Sequence, residues 1–176
     1  RTTRMLAGIA RTVDTSGWIS ADMHVHARPS FDSGVSLADR AITMAAEGVE
    51  LLISTDHDVI SDYRPVIREL RLDRWLASDP GVETTTIEVG HFIGFPLQCR
   101  HDQARMRGAP DWVGVSPQGV FEALRSLGRR SPERTVVTVP HPRDGFLGYF
   151  DQAGLSPYTL TNDRPMMTSE NELLAA

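Results

Sequence analysis

The stretch Ser20-Ala21-Asp22-Met23-His24-Val25-His26 decides how the rest of the chain is interpreted, because it has the pattern of a strand with two histidines on one face. Side chains of a β-strand alternate between its faces, so a strand over residues 18–26 places His24 and His26 on the same side as Asp22. Two imidazoles at positions i and i+2 can reach one metal ion, since first-row divalent metals favour nitrogen ligands at about 2.0–2.2 Å. A chance His-x-His pair in a soluble chain is the alternative interpretation.

The length and composition of the chain exclude several classes of protein. A chain of 176 residues fits one domain with a core of its own. The net charge of -5 argues against a general binder of nucleic acids or anionic membranes, and no apolar run approaches the length of a membrane span. The single cysteine, Cys99, excludes an intrachain disulfide. We therefore expect a soluble chain, and both a cytoplasmic and an exported location stay open.

Strands and helices alternate in the first third of the chain. After the predicted strand, residues 27–35 have the composition of a loop. Ser36 followed by Asp39 is a helix N-cap signature, and Gly48 ends that predicted helix. The mostly apolar residues 49–54 predict a strand covered on both faces.

The middle of the chain predicts one more helix and two more strands. The helix is expected to begin near Asp62 and to run past Trp75, before Asp79-Pro80-Gly81 turns the chain. Residues 82–89 and 90–95 are rich in β-branched and aromatic side chains, which favour strands.

The last third of the chain is predicted in less detail. Residues 98–115 lack periodicity and predict a long surface loop. Ser116-Pro117 is a strong helix start, with Gly128 closing that helix, and residues 135–139 predict a strand. We expect a loop-like course after Gly145.

Five of the six histidines fall at or near the ends of these predicted strands; they are His24, His26, His57, His91 and His141. Alternating strands and helices with polar residues at the strand exits are typical of a parallel α/β barrel or a doubly wound sheet. Active sites of such folds collect at the carboxyl ends of the strands. We therefore expect these histidines to share one site.

Four short motifs carry a family resemblance; they are His24-Val25-His26, Thr55-Asp56-His57-Asp58, Gly90-His91-Phe92 and His141-Pro142-Arg143. In their order and spacing, the chain resembles the PHP (polymerase and histidinol phosphatase) superfamily of metal-dependent hydrolases, and most of all its CehA/McbA branch. The resemblance runs from about residue 17 to residue 150. It implies part of a distorted (β/α)7 barrel, with the active site at the carboxyl ends of the strands and two or three divalent ions (Mn, Zn or Fe).

The resemblance also implies a set of metal ligands. His24 and His26 would hold a first ion, Asp32 and His57 a second, while Glu83 would bridge two ions and His91 with His141 would hold a third. Three of these assignments have alternatives. Asp32 could be a turn residue, and His91 could be a hydrogen-bonded core histidine. Glu83 could be a solvated strand residue, or Glu88 could be the bridging ligand in its place.

Other charged residues have expected roles around the cluster. Asp56 and Asp58 are expected to orient His57 as hydrogen-bond acceptors, which gives Asp58 a catalytic role. Arg28 and Arg143 are suited to clamp an anionic group of the substrate, with Arg143 also placed among the catalytic residues. His101 is off the pattern and is expected at the surface.

The chain departs from the family pattern in one respect. A late Asp-x-His motif is expected after His141, and Asn162-Asp163-Arg164 does not match it. We therefore expect residues 17–176 to be the N-terminal portion of a catalytic domain, with residues 1–16 as an extension or a connection from a preceding domain. The isolated chain is expected to hold fewer ions than the full-length enzyme, with the third site retained best and little hydrolysis.

The expected chemistry is hydrolysis by a metal-activated water, since a bound divalent ion lowers the pKa of water to about 7. The expected substrate is a small anionic molecule, and phosphate esters come first. Carbamate or carboxylate ester hydrolysis is the alternative, and a non-catalytic metal-binding module is the alternative from a different class.

Overall fold

The computed structural model describes residues 3–8, 10, 12–87, 89–99 and 108–161. These residues form a mixed α/β structure with two three-stranded sheets and four α-helices. They do not close into a barrel, so the partial (β/α)7 barrel stays a prediction. No helix within the described ranges has the length and apolar character needed to cross a membrane.

The first sheet is parallel and contains the opening motif. Its strands are β1 (Ala21–Val25), β2 (Leu51–Ser54) and β3 (Ala77–Pro80), in that order across the sheet. Helix α1 (Leu37–Ala46) connects the first two strands and α2 (Arg64–Glu69) the next two. Parallel neighbours require such crossover connections, which is the strand-helix alternation that the sequence predicts.

Helix α1 follows the sequence prediction closely. The Ser36 side chain accepts a hydrogen bond from the Asp39 backbone N–H, and the Ser36 hydroxyl donates to the Asp39 carboxylate at 2.7 Å. The first of these contacts satisfies one of the backbone donors that a helix start leaves free. The chain leaves the helix at Gly48, whose φ of 80° suits glycine.

Two predictions in the middle of the chain are wrong. Helix α2 does not reach Trp75, because it ends at Glu69 and Arg71 has a positive φ of 57°. Asp79 and Pro80 do not form a turn but belong to strand β3. Proline is tolerated there because β3 is an edge strand of its sheet.

The second sheet is antiparallel. It contains β4 (Val82–Thr85), β5 (His91–Phe95) and β6 (Val136–Thr138), in that order. Strands are found where the sequence predicts them, but β4 and β6 are shorter than predicted. The connection between β4 and β5 is too short for the crossover that a parallel pair needs, and the two strands therefore pair antiparallel.

Gly81 alone separates β3 from β4 and joins the two sheets. A Cβ atom at this position would lie 2.7 Å from the Gly94 carbonyl oxygen and 2.8 Å from that of Ser54. Only glycine therefore allows the backbones of both sheets to approach this closely.

Each sheet has its own apolar core. In the core of the first sheet, Leu52 on β2 is buried together with Ile67 on α2 and with Tyr63, which directly precedes α2. In the core of the second sheet, the Phe92 ring meets the rings of Phe121 and Tyr149 edge to face, with centroids 5.0 and 5.3 Å apart. Such pairs add to the free energy gained by burial.

The remaining segments refine the prediction for the chain's second half. Helix α3 (Pro117–Ser126) begins at the predicted Ser116 cap. The prediction of a loop after Gly145 is wrong in part, because α4 (Tyr149–Gln152) forms there and Tyr149 is buried. Within the predicted surface loop 98–115, the described residues form no strand or α-helix, and Trp112 packs against the second core.

Candidate metal centre

Glu83 on β4 is the centre of a polar cluster and is fully buried. Its Oε2 atom lies 3.0 Å from His24 Nε2, 3.1 Å from His26 Nε2 and 3.5 Å from His57 Nδ1. Its Oε1 atom lies 2.9 Å from both His91 Nδ1 and His141 Nε2. The structure thus brings together around Glu83 the five histidines that the sequence singles out.

The parallel sheet positions the first three imidazoles. His24 is on β1, His26 follows it, and His57 comes three residues after β2. The exits of the two strands are tied together, since the Thr55 N–H donates to the Val25 carbonyl oxygen and the Ala27 N–H donates to Asp56 Oδ1. Side chains at neighbouring carboxyl ends therefore converge, as expected for a parallel sheet.

The antiparallel sheet positions the other two imidazoles, those of His91 and His141. His91 is the first residue of β5, so the expectation that it follows a strand's carboxyl end is wrong. It reaches the site because antiparallel pairing sets it opposite Thr85, the last residue of β4. His141 lies three residues beyond the end of β6, which runs antiparallel to β5 and therefore exits at the same edge.

Three overlapping groups of side chains could each hold a metal ion, with ligand atoms within 4.8 Å of one another; they are His24-His26-Glu83, His26-Asp32-His57 and His57-Glu83-His91. Imidazole nitrogen and carboxylate oxygen suit Zn, Mn and Fe. The grouping differs from the sequence expectation, because His26 joins Asp32 and His57. His57 Nε2 lies 3.6 Å from Asp32 Oδ2, a gap that a cation between them would fill.

The charge state of the cluster follows from its contacts. Burial alone would raise the pKa of Glu83, but hydrogen bonds from His24, His26 and His91 outweigh it and hold that pKa far below its ordinary value. Burial lowers the pKa of His57. Burial also acts to lower the pKa of His26, but the hydrogen bond to Glu83 and other attractive interactions outweigh it, so the pKa of His26 is raised. Glu83 is therefore an anion at neutral pH.

Asp56 and Asp58 do not pair with His57 as expected. Asp56 Oδ1 accepts the Ala27 N–H, while Asp58 Oδ1 accepts the Thr85 backbone N–H and the Trp112 indole N–H, both at 3.0 Å. Burial raises the pKa of both carboxyls. Both carboxylates therefore bind backbone near the site rather than the imidazole directly, and the catalytic role expected for Asp58 stays a prediction.

The contact that orients His57 comes from a residue that the sequence does not single out. The distance between His57 Nδ1 and Thr85 Oγ1 is 2.6 Å. Threonine is common in strands, so no sequence signal distinguishes Thr85 from its neighbours Thr84 and Thr86.

The two arginines with expected substrate roles lie outside the lining of the central cavity. Arg143 Nη1 is 3.0 Å from Asp151 Oδ1 and also donates to the Leu155 carbonyl oxygen, so this nitrogen is already paired within the chain. The Arg28 side chain is exposed. Their roles in substrate binding and catalysis stay predictions.

The cluster forms one wall of an open cavity of about 580 Å³. Three exposed apolar side chains, Phe31, Ile87 and Phe146, and the carboxylates of Asp32 and Asp144 complete much of its lining. The described lining residues include no arginine. The cavity therefore combines a nitrogen-rich wall with an apolar mouth.

Aromatic stacking holds the imidazoles next to this mouth. The His57 ring stacks on the Phe31 ring with centroids 4.6 Å apart and on the His26 ring with centroids 4.5 Å apart. Such contacts restrict the plane of the His57 ring.

The predictions for His101, Glu88 and residues 162–164 concern parts of the chain outside the described residues. A scan against protein-family models finds no match to the chain, and a search of curated proteins finds none either.

Proposed function

We propose that this chain supplies the metal centre of a hydrolase that uses a metal-activated water. The observation that carries the proposal is the arrangement of five imidazoles and one fully buried carboxylate along the wall of an open cavity. Burying an anion costs several kcal/mol unless it is compensated, and a cation bound by the anion and its neighbouring imidazoles is one way to compensate it. The motif resemblance to the PHP superfamily supports the same reaction class.

The proposed ligands contribute a negative charge and several nitrogen atoms. Glu83 supplies the negative charge, since its pKa keeps it ionised, and the imidazoles supply nitrogen ligands on three sides. Asp32 is 42% exposed and adds a second carboxylate at the cavity side of His26 and His57. When bound, a divalent ion in such a site generates hydroxide near neutral pH and polarises the bond to be cleaved.

A serine nucleophile is the competing arrangement closest to this site. Ser30 Oγ lies 3.3 Å from His26 Nδ1, as a nucleophile and its base would. Ser30 is only 2% exposed, however, and its hydroxyl already accepts the His57 backbone N–H. Ser30 therefore acts as a structural acceptor in this proposal.

Two substrate classes follow from different observations. Phosphate esters are the first candidate, because a cationic centre attracts them and because they are common across the superfamily that the motifs resemble. The apolar mouth formed by Phe31, Ile87 and Phe146 favours the second candidate, a carbamate or carboxylate ester with an apolar group.

Turnover of matched aryl substrates tests the proposal. From this chain we expect slow release of nitrophenol from nitrophenyl phosphate or nitrophenyl acetate that depends on zinc or manganese, and no release after chelation. A matched variant, Glu83→Gln, is expected to be inactive with both substrates. Metal binding without turnover of either substrate would favour the non-catalytic module, and neither binding nor turnover would contradict the proposal.

A further inference from the structure

Thr85 lies at the end of β4, next to the metal-binding wall, and its hydroxyl makes two contacts. It lies 3.1 Å from the Glu83 backbone carbonyl oxygen and 2.6 Å from His57 Nδ1. Because a carbonyl oxygen can only accept, we assign the single hydroxyl proton to the contact with Glu83. The lone pairs of the hydroxyl then face His57 and can only accept a proton from Nδ1.

The second neighbour of His57 Nδ1 is also an acceptor. Glu83 Oε2 lies 3.5 Å from this nitrogen and is ionised. Both groups around Nδ1 therefore favour a hydrogen on that atom. In neutral imidazole only one nitrogen carries a hydrogen, which leaves the lone pair on Nε2.

The free nitrogen points to the acidic side of the cavity. His57 Nε2 lies 3.6 Å from Asp32 Oδ2. Two acceptors that face each other across this distance repel, and a cation between them removes the repulsion. The tautomer with hydrogen on Nδ1 is thus the form that can ligate a cation together with Asp32.

Stacking alone does not select this arrangement. The Phe31 and His26 rings restrict the plane of the His57 imidazole, but a half-turn of the ring preserves that plane while exchanging its two edges. The Thr85 hydroxyl distinguishes the two edges, since only one of them carries Nδ1.

Hydrogen bonds of the backbone hold Thr85 in place. Its backbone N–H donates to Asp58 Oδ1, which also accepts the Trp112 indole N–H. Asp58 in turn has a positive φ of 52° and donates its own N–H to the Glu83 carbonyl oxygen. Backbone in this uncommon conformation persists where the surroundings hold it.

We propose that Thr85 is the positioning residue that fixes the tautomer of His57, with hydrogen on Nδ1 and the lone pair of Nε2 directed at Asp32. The consequence for cation binding rests on the proposed function, whereas the tautomer itself is a property of the metal-free chain. Groups that accept the second N–H of a ligating histidine commonly change metal affinity by about 10- to 100-fold when they are removed.

The chain offers matched variants for the test. Thr85→Val removes the hydroxyl while keeping the shape, and Thr85→Ser restores the hydroxyl. Thr84→Val is the control, because Thr84 is fully buried one residue away and its hydroxyl has no hydrogen-bond partner among the described residues. A general effect of losing a buried threonine hydroxyl would appear in this control as well.

The experiment measures nitrogen-15 shifts of the histidine side chains in the metal-free chain, at a pH where imidazoles are neutral, with His57 assigned from the His57→Ala variant. We expect hydrogen on Nδ1 in the unmodified chain, in Thr84→Val and in Thr85→Ser, and a mixture of tautomers in Thr85→Val. Hydrogen on Nε2 in the unmodified chain, or an unchanged tautomer in Thr85→Val, would overturn the proposal.

Zinc titration against a competing chelator gives the second readout. We expect Thr85→Val to bind Zn²⁺ about 10- to 100-fold more weakly, with Thr85→Ser and Thr84→Val close to the unmodified chain. If the unmodified chain binds no Zn²⁺, the proposed function fails, while the nitrogen-15 spectra still decide the tautomer. Equal zinc affinity in Thr85→Val and the unmodified chain would refute the positioning role.

Discussion

Replacing Glu83 by glutamine isolates the contribution of the buried carboxylate to metal binding. The substitution keeps the size of the side chain and removes its charge, and it turns one acceptor oxygen into an NH₂ group. Glu83 belongs to two of the three possible metal groups. Without its carboxylate, one of these groups would keep only His24 and His26, and the other only His57 and His91. Two protein ligands hold a zinc-like ion poorly, because such sites use three or four.

The expected magnitude follows from binding linkage. At a Zn²⁺ concentration of about 100 times Kd, one site stabilises the folded chain by about 2.7 kcal/mol. For a domain of this size, that corresponds to a rise in Tm of roughly 5–11 °C. At a group that contains Glu83, loss of this direct ligand should weaken affinity by at least about 100-fold, which reduces the stabilisation from that site to about 0.4 kcal/mol and its contribution to the rise to about 1–2 °C. The His26-Asp32-His57 group keeps its three ligands, so any rise that remains in Glu83→Gln comes from that group.

Thermal unfolding with and without Zn²⁺ measures this difference. Glu122→Gln is the matched control, because Glu122 is exposed on α3 and its carboxylate accepts a hydrogen bond only from Gln118 among the described residues. We expect the control to keep the full rise in Tm. An equal rise in Glu83→Gln and in the unmodified chain would refute the reasoning.

Two further substitutions test the site and its scaffold. His57→Ala is expected to abolish hydrolysis at saturating Mn²⁺ or Zn²⁺ while leaving the circular dichroism spectrum unchanged. The control, His101→Ala, is expected to change activity little. Turnover by His57→Ala comparable to that of the unmodified chain would exclude the proposed role of His57. Gly90→Ala is expected to lower the free energy of unfolding in urea by about 1–3 kcal/mol, because Gly90 has a φ of 85° and a Cβ there would lie 2.6 Å from the Tyr149 backbone nitrogen. Gly34→Ala, with open space around its Cβ, should be nearly neutral, and equal urea midpoints for the two variants would contradict this account.

The sequence allowed two of the three strands of the first sheet, helix α1 and most of the cluster to be predicted, because local signals agree there. The Ser36 cap, Gly48 and the apolar residues 49–54 each indicate their own element. The histidines could be found because imidazole is uncommon and five of them fall at predicted strand ends.

The features that were missed depend on tertiary contacts. Asp79-Pro80-Gly81 has the composition of a turn, and only pairing with β2 makes Ala77–Pro80 a strand. His91 reaches the site from the start of a strand because β5 runs antiparallel, a direction that periodicity does not encode. Thr85 is chemically ordinary, and its role follows from a distance that no local pattern predicts.

An anomalous difference map from a Zn²⁺-soaked crystal of this chain tests the central claim most directly. We predict at least one peak at about 2.0–2.2 Å from a Glu83 carboxylate oxygen and from the nitrogens of two or more of the five histidines. A crystal that shows no zinc at this wall, or zinc only at sites away from Glu83, would contradict the proposed metal centre.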